Sequence, residues 1–130
     1  MASTKINKVV AVVVWYRPSD KEVESARTYY QDVARVIIVD NSDTDNTNLA
    51  ACIPNADYLP LFANRGIAYA LNRGCERAIA LQADWVLTMD QDSLWKQNTV
   101  EEFIQEALCY SQIDNVGIFT PVHFCQGDRA

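Results

Sequence analysis

The sequence predicts an α/β domain, built as a mostly parallel sheet with helices on both faces. Three observations predict it: short β-branched runs recur along the chain, helical patterns fill the gaps between them, and several runs are apolar without interruption. A strand with no polar alternation has both faces buried, which requires helices above and below a parallel sheet.

The elements follow in order. Val9-Val10-Ala11-Val12-Val13-Val14 is too short and too β-branched for a helix and reads as the first strand. Pro18 stops it, and Ser19, three residues before Glu22, has the spacing of a capping box that opens a helix to about Gln31. Val36-Ile37-Ile38-Val39 is a second buried strand, closed by a polar loop over residues 40–48. A short helical turn is expected over residues 48–52. A third strand is expected over residues 58–62, at a sheet edge because Pro60 has no N–H to give an inner ladder. Between residues 66 and 82, Ile67, Leu71, Ala78 and Leu81 recur at helical spacing. Residues 85–89 form a fourth strand. Asn98 and Glu101 repeat the capping spacing ahead of a helical face made by Val100, Phe103, Ile104, Ala107 and Leu108. Residues 116–119 complete the alternation as a fifth strand.

Composition narrows the function classes. A chain of 130 residues fits one domain, 1–130, since single domains most often run about 100–150 residues. The net charge is −6, from 11 Lys+Arg against 17 Asp+Glu, with no basic tract to offset it. A phosphate-backbone binder needs clustered cations, so nucleic acid is not an expected partner. The longest apolar run, residues 9–15, is far short of the ~20 residues that span a bilayer, and no signal peptide is visible. Cys52, Cys75, Cys109 and Cys125 are widely spaced and include no Cys-x-x-Cys pair, so they read as small apolar residues in a reducing compartment. A cytoplasmic protein is expected.

In such sheets ligands bind beyond the carboxyl ends of the strands. Those ends are Trp15-Tyr16-Arg17, Asp40-Asn41, Phe62-Ala63-Asn64 and Asp90-Gln91-Asp92. Two carboxylates two residues apart on an extended segment point to the same side and repel. A divalent cation, magnesium or manganese, resolves that conflict, because magnesium is held by one or two carboxylates plus waters and substrate phosphates. The competing reading of Asp90 and Asp92 is a solvated acidic turn with Asp92 or Ser93 as a cap. Asp40, Asp43 and Asp45 add charge to the same rim, and a nucleotide diphosphate approaches such a rim only with a metal to invert its sign. Asp40 itself is the residue type that accepts a hydrogen bond from a base or ribose, and an Asx turn into Asn41-Ser42-Asp43 is the competing reading, which can also hold alongside it. Tyr16 or Trp15 is placed to stack on a base, or is an aromatic at the core edge.

Asn64-Arg65-Gly66 precedes the long helix and Asn72-Arg73-Gly74 falls inside it. Gly66 lets a ligand approach the backbone where the helix dipole favours anions. Gly74 costs about 1 kcal/mol relative to Ala within a helix, so close packing or ligand approach must require it. Arg65 and Arg73 supply cations, or are solvated surface residues. His123, the single histidine, is assigned no role.

The segments V-A-V-V-V-W-Y-R-P (10–18, after a further Val), V-I-I-V-D-N-S (36–42), N-R-G-I-A-Y-A-L-N-R-G (64–74) and D-W-V-L-T-M-D-Q-D-S (84–93) occur in that order. Together, over about residues 8–120, they resemble family 2 glycosyltransferases of the GT-A, Rossmann-like fold, especially rhamnosyltransferases of bacterial surface polysaccharide synthesis. The resemblance implies that Asp90 and Asp92 bind metal and diphosphate, that Asp40 recognises the base, and that Asn64, Gly66 and Arg73 line the nucleotide-sugar pocket, to which Tyr16 is added from its place at the end of the first strand. It implies a nucleotide-diphosphate sugar donor such as dTDP-rhamnose, a saccharide acceptor, and work in the cytoplasm, at the inner face of the membrane in a full-length protein. Members of the family continue further and carry their general base in the later half. The chain is therefore expected to be the donor-binding part of a longer enzyme, with its catalytic base beyond Ala130. Apolar surface left uncovered around residues 116–124 is expected to drive homodimerisation.

Rival folds lack their motifs. A dehydrogenase needs G-x-G-x-x-G after the first strand, where this chain has Tyr16-Arg17-Pro18-Ser19, and a sugar-nucleotide pyrophosphorylase also wants glycines there. A P-loop is absent as well. The remaining alternative is a non-catalytic nucleotide-sugar-binding or interaction module.

Overall fold

A computed structural model describes residues 7–118. Four strands and four helices alternate: β1 (Val9–Trp15), α1 (Asp20–Arg27), β2 (Arg35–Asp40), α2 (Thr47–Ala50), β3 (Ala56–Pro60), α3 (Ile67–Ala80), β4 (Trp85–Met89) and α4 (Thr99–Leu108). The strands form one parallel sheet in the order β3-β2-β1-β4. Val13 pairs with both Ile38 and Met89, and Asp40 pairs with both Trp15 and Pro60, so the four carboxyl ends share one rim. The chain steps from β1 outward to β2 and β3, then returns to place β4 on the other side of β1. This reversal opens a crevice between the ends of β1 and β4, where open α/β sheets bind ligands.

Alternate residues of β1 face opposite cores. Val9, Ala11, Val13 and Trp15 pack with Val23 and Ala26 of α1, Ala50 of α2, and Val100 and Ile104 of α4. Val10 and Val12 pack with Ile37 and Val39 of β2 against Ala70 and Ala78 of α3. Helices cover both faces, as the uninterrupted apolar runs require. Gly74 explains how α3 sits so close: a Cβ there would lie 2.4 Å from Cγ1 of Val12 and 3.3 Å from Cγ2 of Val39. Of its two expected causes, close packing is the one present.

Four local expectations change. The capping box at Ser19 and Glu22 forms, but α1 ends at Arg27 rather than near Gln31. The Thr28 hydroxyl donates to the Ser25 carbonyl, and Tyr29 leaves the helical path to bury its ring in the core. The third strand runs two residues earlier than expected, because Phe62 takes a left-handed φ of 57° that ends extended pairing. Asn98 also adopts a left-handed φ and makes no side-chain cap, so the second capping box is not formed; its carbonyl accepts from the Glu102 N–H instead. Residues Val116, Gly117 and Ile118 join no ladder, and Ile118 stands exposed. Phe119, His123 and Cys125 lie outside the described residues, whereas Cys52, Cys75 and Cys109 are free thiols. No helix among the described residues is long and apolar enough to cross a membrane.

Candidate functional site

The crevice between β1 and β4 widens into a cavity of about 1060 Å³. Its polar end is formed by Tyr16, Asn41, Asn64, Gly66, Asp90 and Asp92, and its apolar wall by β4, α4 and Ile118. Five of the expected site residues (Tyr16, Asn64, Gly66, Asp90 and Asp92) therefore meet on one surface. Asp40 and Arg73 are not on it.

β4 ends at Met89, and Gln91 and Asp92 form a turn. Simple strand alternation therefore does not bring the two carboxylates together, although both remain exposed and line the same cavity. What holds them is a set of anchors on their neighbours. Gln91 pairs with the backbone of Tyr16, accepting from its N–H at 2.7 Å and donating to its carbonyl at 3.3 Å. The Ser25 hydroxyl of α1 donates to the Ser93 carbonyl, and the Trp95 N–H donates to the Thr28 hydroxyl at 3.3 Å. Among the described residues, neither Asp90 nor Asp92 has a hydrogen-bond or ion-pair partner for its carboxylate. Nor do any three His, Cys, Asp or Glu side chains among them group as a metal cage. Two open oxygen donors without a third protein ligand fit a hard cation that keeps waters and takes its other ligands from a substrate phosphate.

The aromatic step divides its two residues. Trp15 is fully buried in the core, while Tyr16 is 41% exposed at the cavity with the Arg17 guanidinium 5.0 Å from its ring centre. Tyr16 thus offers a ring to a planar ligand.

Asn41 holds the opposite lip. Its amide oxygen accepts from Arg65 N–H at 3.2 Å, and its amide nitrogen donates to the Gly66 carbonyl at 3.2 Å. Asn64 accepts from the Gly66 N–H at 3.1 Å. Gly66 itself has φ 88° and ψ 159°, a region essentially reserved to glycine, with open space where a Cβ would stand. No side chain caps α3 and no acidic residue stands in its first turn, so its dipole is uncompensated there, where Gly66 and Ile67 line the cavity.

Asp40 is fully buried. One oxygen accepts from Ser42 N–H at 3.0 Å; the other accepts from Asn46 Nδ2 at 2.8 Å and from the Tyr58 hydroxyl at 2.5 Å. The Asx turn is therefore formed, and direct contact with a base is screened by the loop it holds. Burial, with the bond to Asp40 next, pushes the Tyr58 hydroxyl well above the usual tyrosine range, so it stays a donor. Asp45 is exposed, and its acceptor role toward Thr47 lowers its carboxyl below the ordinary value. Arg73 is exposed on α3 and pairs with Glu76 at 3.4 Å, away from the cavity. Arg65 lies over the Tyr69 ring at 4.7 Å.

Sequence reasoning passed over Gln91, Asn41 and Ser42 as functional positions. Each clamps the backbone of a loop distant in sequence, Ser42 by accepting from the Arg17 N–H at 2.7 Å. An amide or hydroxyl within two residues of a strand end is the available signal.

The family model described as "Glycosyl transferase family 2" matches residues 20–123 of the chain. The chain is also similar to the dTDP-rhamnosyl transferase RfbF of Shigella flexneri, at 29% identity over 126 residues, which is 95% of this chain. It spans 41% of that relative's length.

Proposed function

The chain belongs to glycosyl transferase family 2, and on that premise we propose that it is the donor-binding part of an inverting glycosyltransferase. The observation that carries this reading is the pair Asp90 and Asp92, open and anchored beside a cavity at the point where the sheet order reverses. Asp90 and Asp92 would hold a magnesium or manganese ion. When bound, such an ion supplies positive charge to the diphosphate as it leaves the sugar. Tyr16 stacks on the base, Asn64 and Gly66 border the sugar and diphosphate, and the bare N-terminus of α3 favours the anion. Asp40 acts on the base through the loop 41–46 that it holds. Arg73 reaches the ligand only by leaving Glu76.

The donor we propose is a nucleotide-diphosphate sugar, with thymidine and rhamnose suggested by the name of the Shigella flexneri relative. The acceptor is a saccharide hydroxyl of a cell-surface polysaccharide. Transfer with inversion needs a base to take that hydroxyl's proton. Among the described residues the carboxylates that line the cavity are the two assigned to metal, so we propose that the base lies in the part of the relative's length that this chain does not span. Exposed Phe62, Ile79 and Leu94, none of which lines the cavity, support self-association, which light scattering across a concentration series tests; a monomer mass throughout would refute it.

Calorimetric titration of thymidine and uridine diphosphates, with magnesium, with manganese and with excess chelator, tests the reading. Cation-dependent binding that favours thymidine is expected. Equal affinity in chelator would sink the metal site, and no binding of either nucleotide would sink the donor site.

A further inference from the structure

We infer that Gln91 is a positioning residue that sets Asp90 and Asp92 for the metal and ties them to Tyr16; this deepens the donor-site reading and rests on it. Gln91 carries no charge and lies between two residues that do. Its amide forms a two-point pair with both backbone groups of Tyr16, 75 residues away in sequence. The regular ladder between β1 and β4 has already ended at Val13 and Met89. Gln91 thus continues the attachment of the two strand ends by side chain after the backbone has stopped doing so.

The consequence lies in what is held and what is not. Met89 is fixed in the sheet, Gln91 on Tyr16, Ser93 on Ser25 and Trp95 on Thr28. Asp90 and Asp92 alternate with these anchored positions, and they are the two with open carboxylates. Without the central anchor the turn would run unsupported from Met89 to Ser93, and mutual repulsion would drive the two charges apart. A site assembled only on binding loses affinity to the ordering it must then perform. The same amide fixes the backbone of Tyr16, so the ring offered to the base and the carboxylates offered to the metal share one support.

The test is manganese binding by the whole chain, followed by electron paramagnetic resonance with thymidine diphosphate present, in wild type, Gln91→Met and Gln91→Asn. Met keeps the length and removes both hydrogen bonds; Asn keeps the amide but is one methylene too short to reach Tyr16. Both variants are expected to bind manganese about tenfold more weakly, the scale of two lost hydrogen bonds. Both should also show faster hydrogen exchange at the Tyr16 amide, with only the small fall in melting temperature that two exposed hydrogen bonds carry and a chain still fully folded at the titration temperature. Unchanged affinity in Gln91→Met overturns the inference and leaves the donor site standing. Loss in Met but not in Asn overturns it too, by making the amide a direct ligand. Partial unfolding of both variants at the titration temperature, in proportion to the lost affinity, makes the effect one of general stability and overturns it as well. Wild type that binds no manganese with the nucleotide refutes the donor site itself, and the inference with it.

Discussion

Asp40 at the end of β2 and Asp90 just past the end of β4 stand on the same rim of one sheet, and only the first has its carboxylate enclosed. Three donors fill the two oxygens of Asp40, and its exposure is nil. Asp90 and its neighbour Asp92 receive no donor among the described residues and face a cavity. A buried carboxylate survives only when hydrogen bonds replace its water. An exposed one needs none and keeps its lone pairs for a ligand. The rim therefore has a closed side, which holds the loop 41–46, and an open side, where Asp90 and Asp92 line the cavity. Residue type does not tell the two apart; the saturation of the oxygens does.

The closed side should answer to mutation by losing stability. Asp40→Ala should cost about 2–4 kcal/mol in equilibrium urea unfolding, because it strands the Tyr58 hydroxyl, the Asn46 amide and the Ser42 N–H. A cost below about 0.5 kcal/mol, the range of ordinary surface changes, would break the comparison.

Tyr58→Phe sharpens it by removing one donor of the three, and a loss of about 1 kcal/mol is expected. The same residue gives a pH signature. Its hydroxyl is raised in the folded chain, so the folded state holds that proton more tightly than the unfolded one. Its contribution is complete below the unfolded tyrosine value of about 10 and is lost as pH rises through the higher folded value. Alkaline unfolding should thus be less steep in Tyr58→Phe, and identical slopes would remove Tyr58 from the account.

Arg73→Ala should be nearly silent. Its guanidinium is exposed and pairs with Glu76 within one helix turn, an interaction worth a few tenths of a kcal/mol. Stability within about 0.5 kcal/mol of wild type is expected, and a larger loss would show that Arg73 supports the fold beyond that surface pair.

The fold was legible where burial leaves a compositional trace. The apolar runs of β1 and β2 could only be strands covered on both faces, and Ser19 with Glu22 marked the start of α1. Boundaries set by a single backbone angle left no such trace: Phe62 ended β3 early and Asn98 turned away from capping, both through left-handed φ values. In the site, the position of Asp90 and Asp92 followed from the strand that delivers them. The work of Gln91 and Asn41 did not, because their partners lie 75 and about 25 residues away and local pattern carries no record of them. For Asp40 the Asx turn was open in the sequence and is formed, whereas the donors from Asn46 and Tyr58 left no local trace.

Asp90→Asn probes the open side, with melting temperature and affinity for thymidine diphosphate plus manganese read on the same sample. The substitution keeps the shape and removes one charge of the pair. Removal of that charge leaves no donor stranded and relieves repulsion from Asp92, so the melting temperature should hold or rise. Metal-dependent affinity should fall about tenfold or more, the scale of a lost charge-assisted contact. A variant that melts early yet binds as wild type would contradict the account, for Asp90 would then be a structural carboxylate like Asp40.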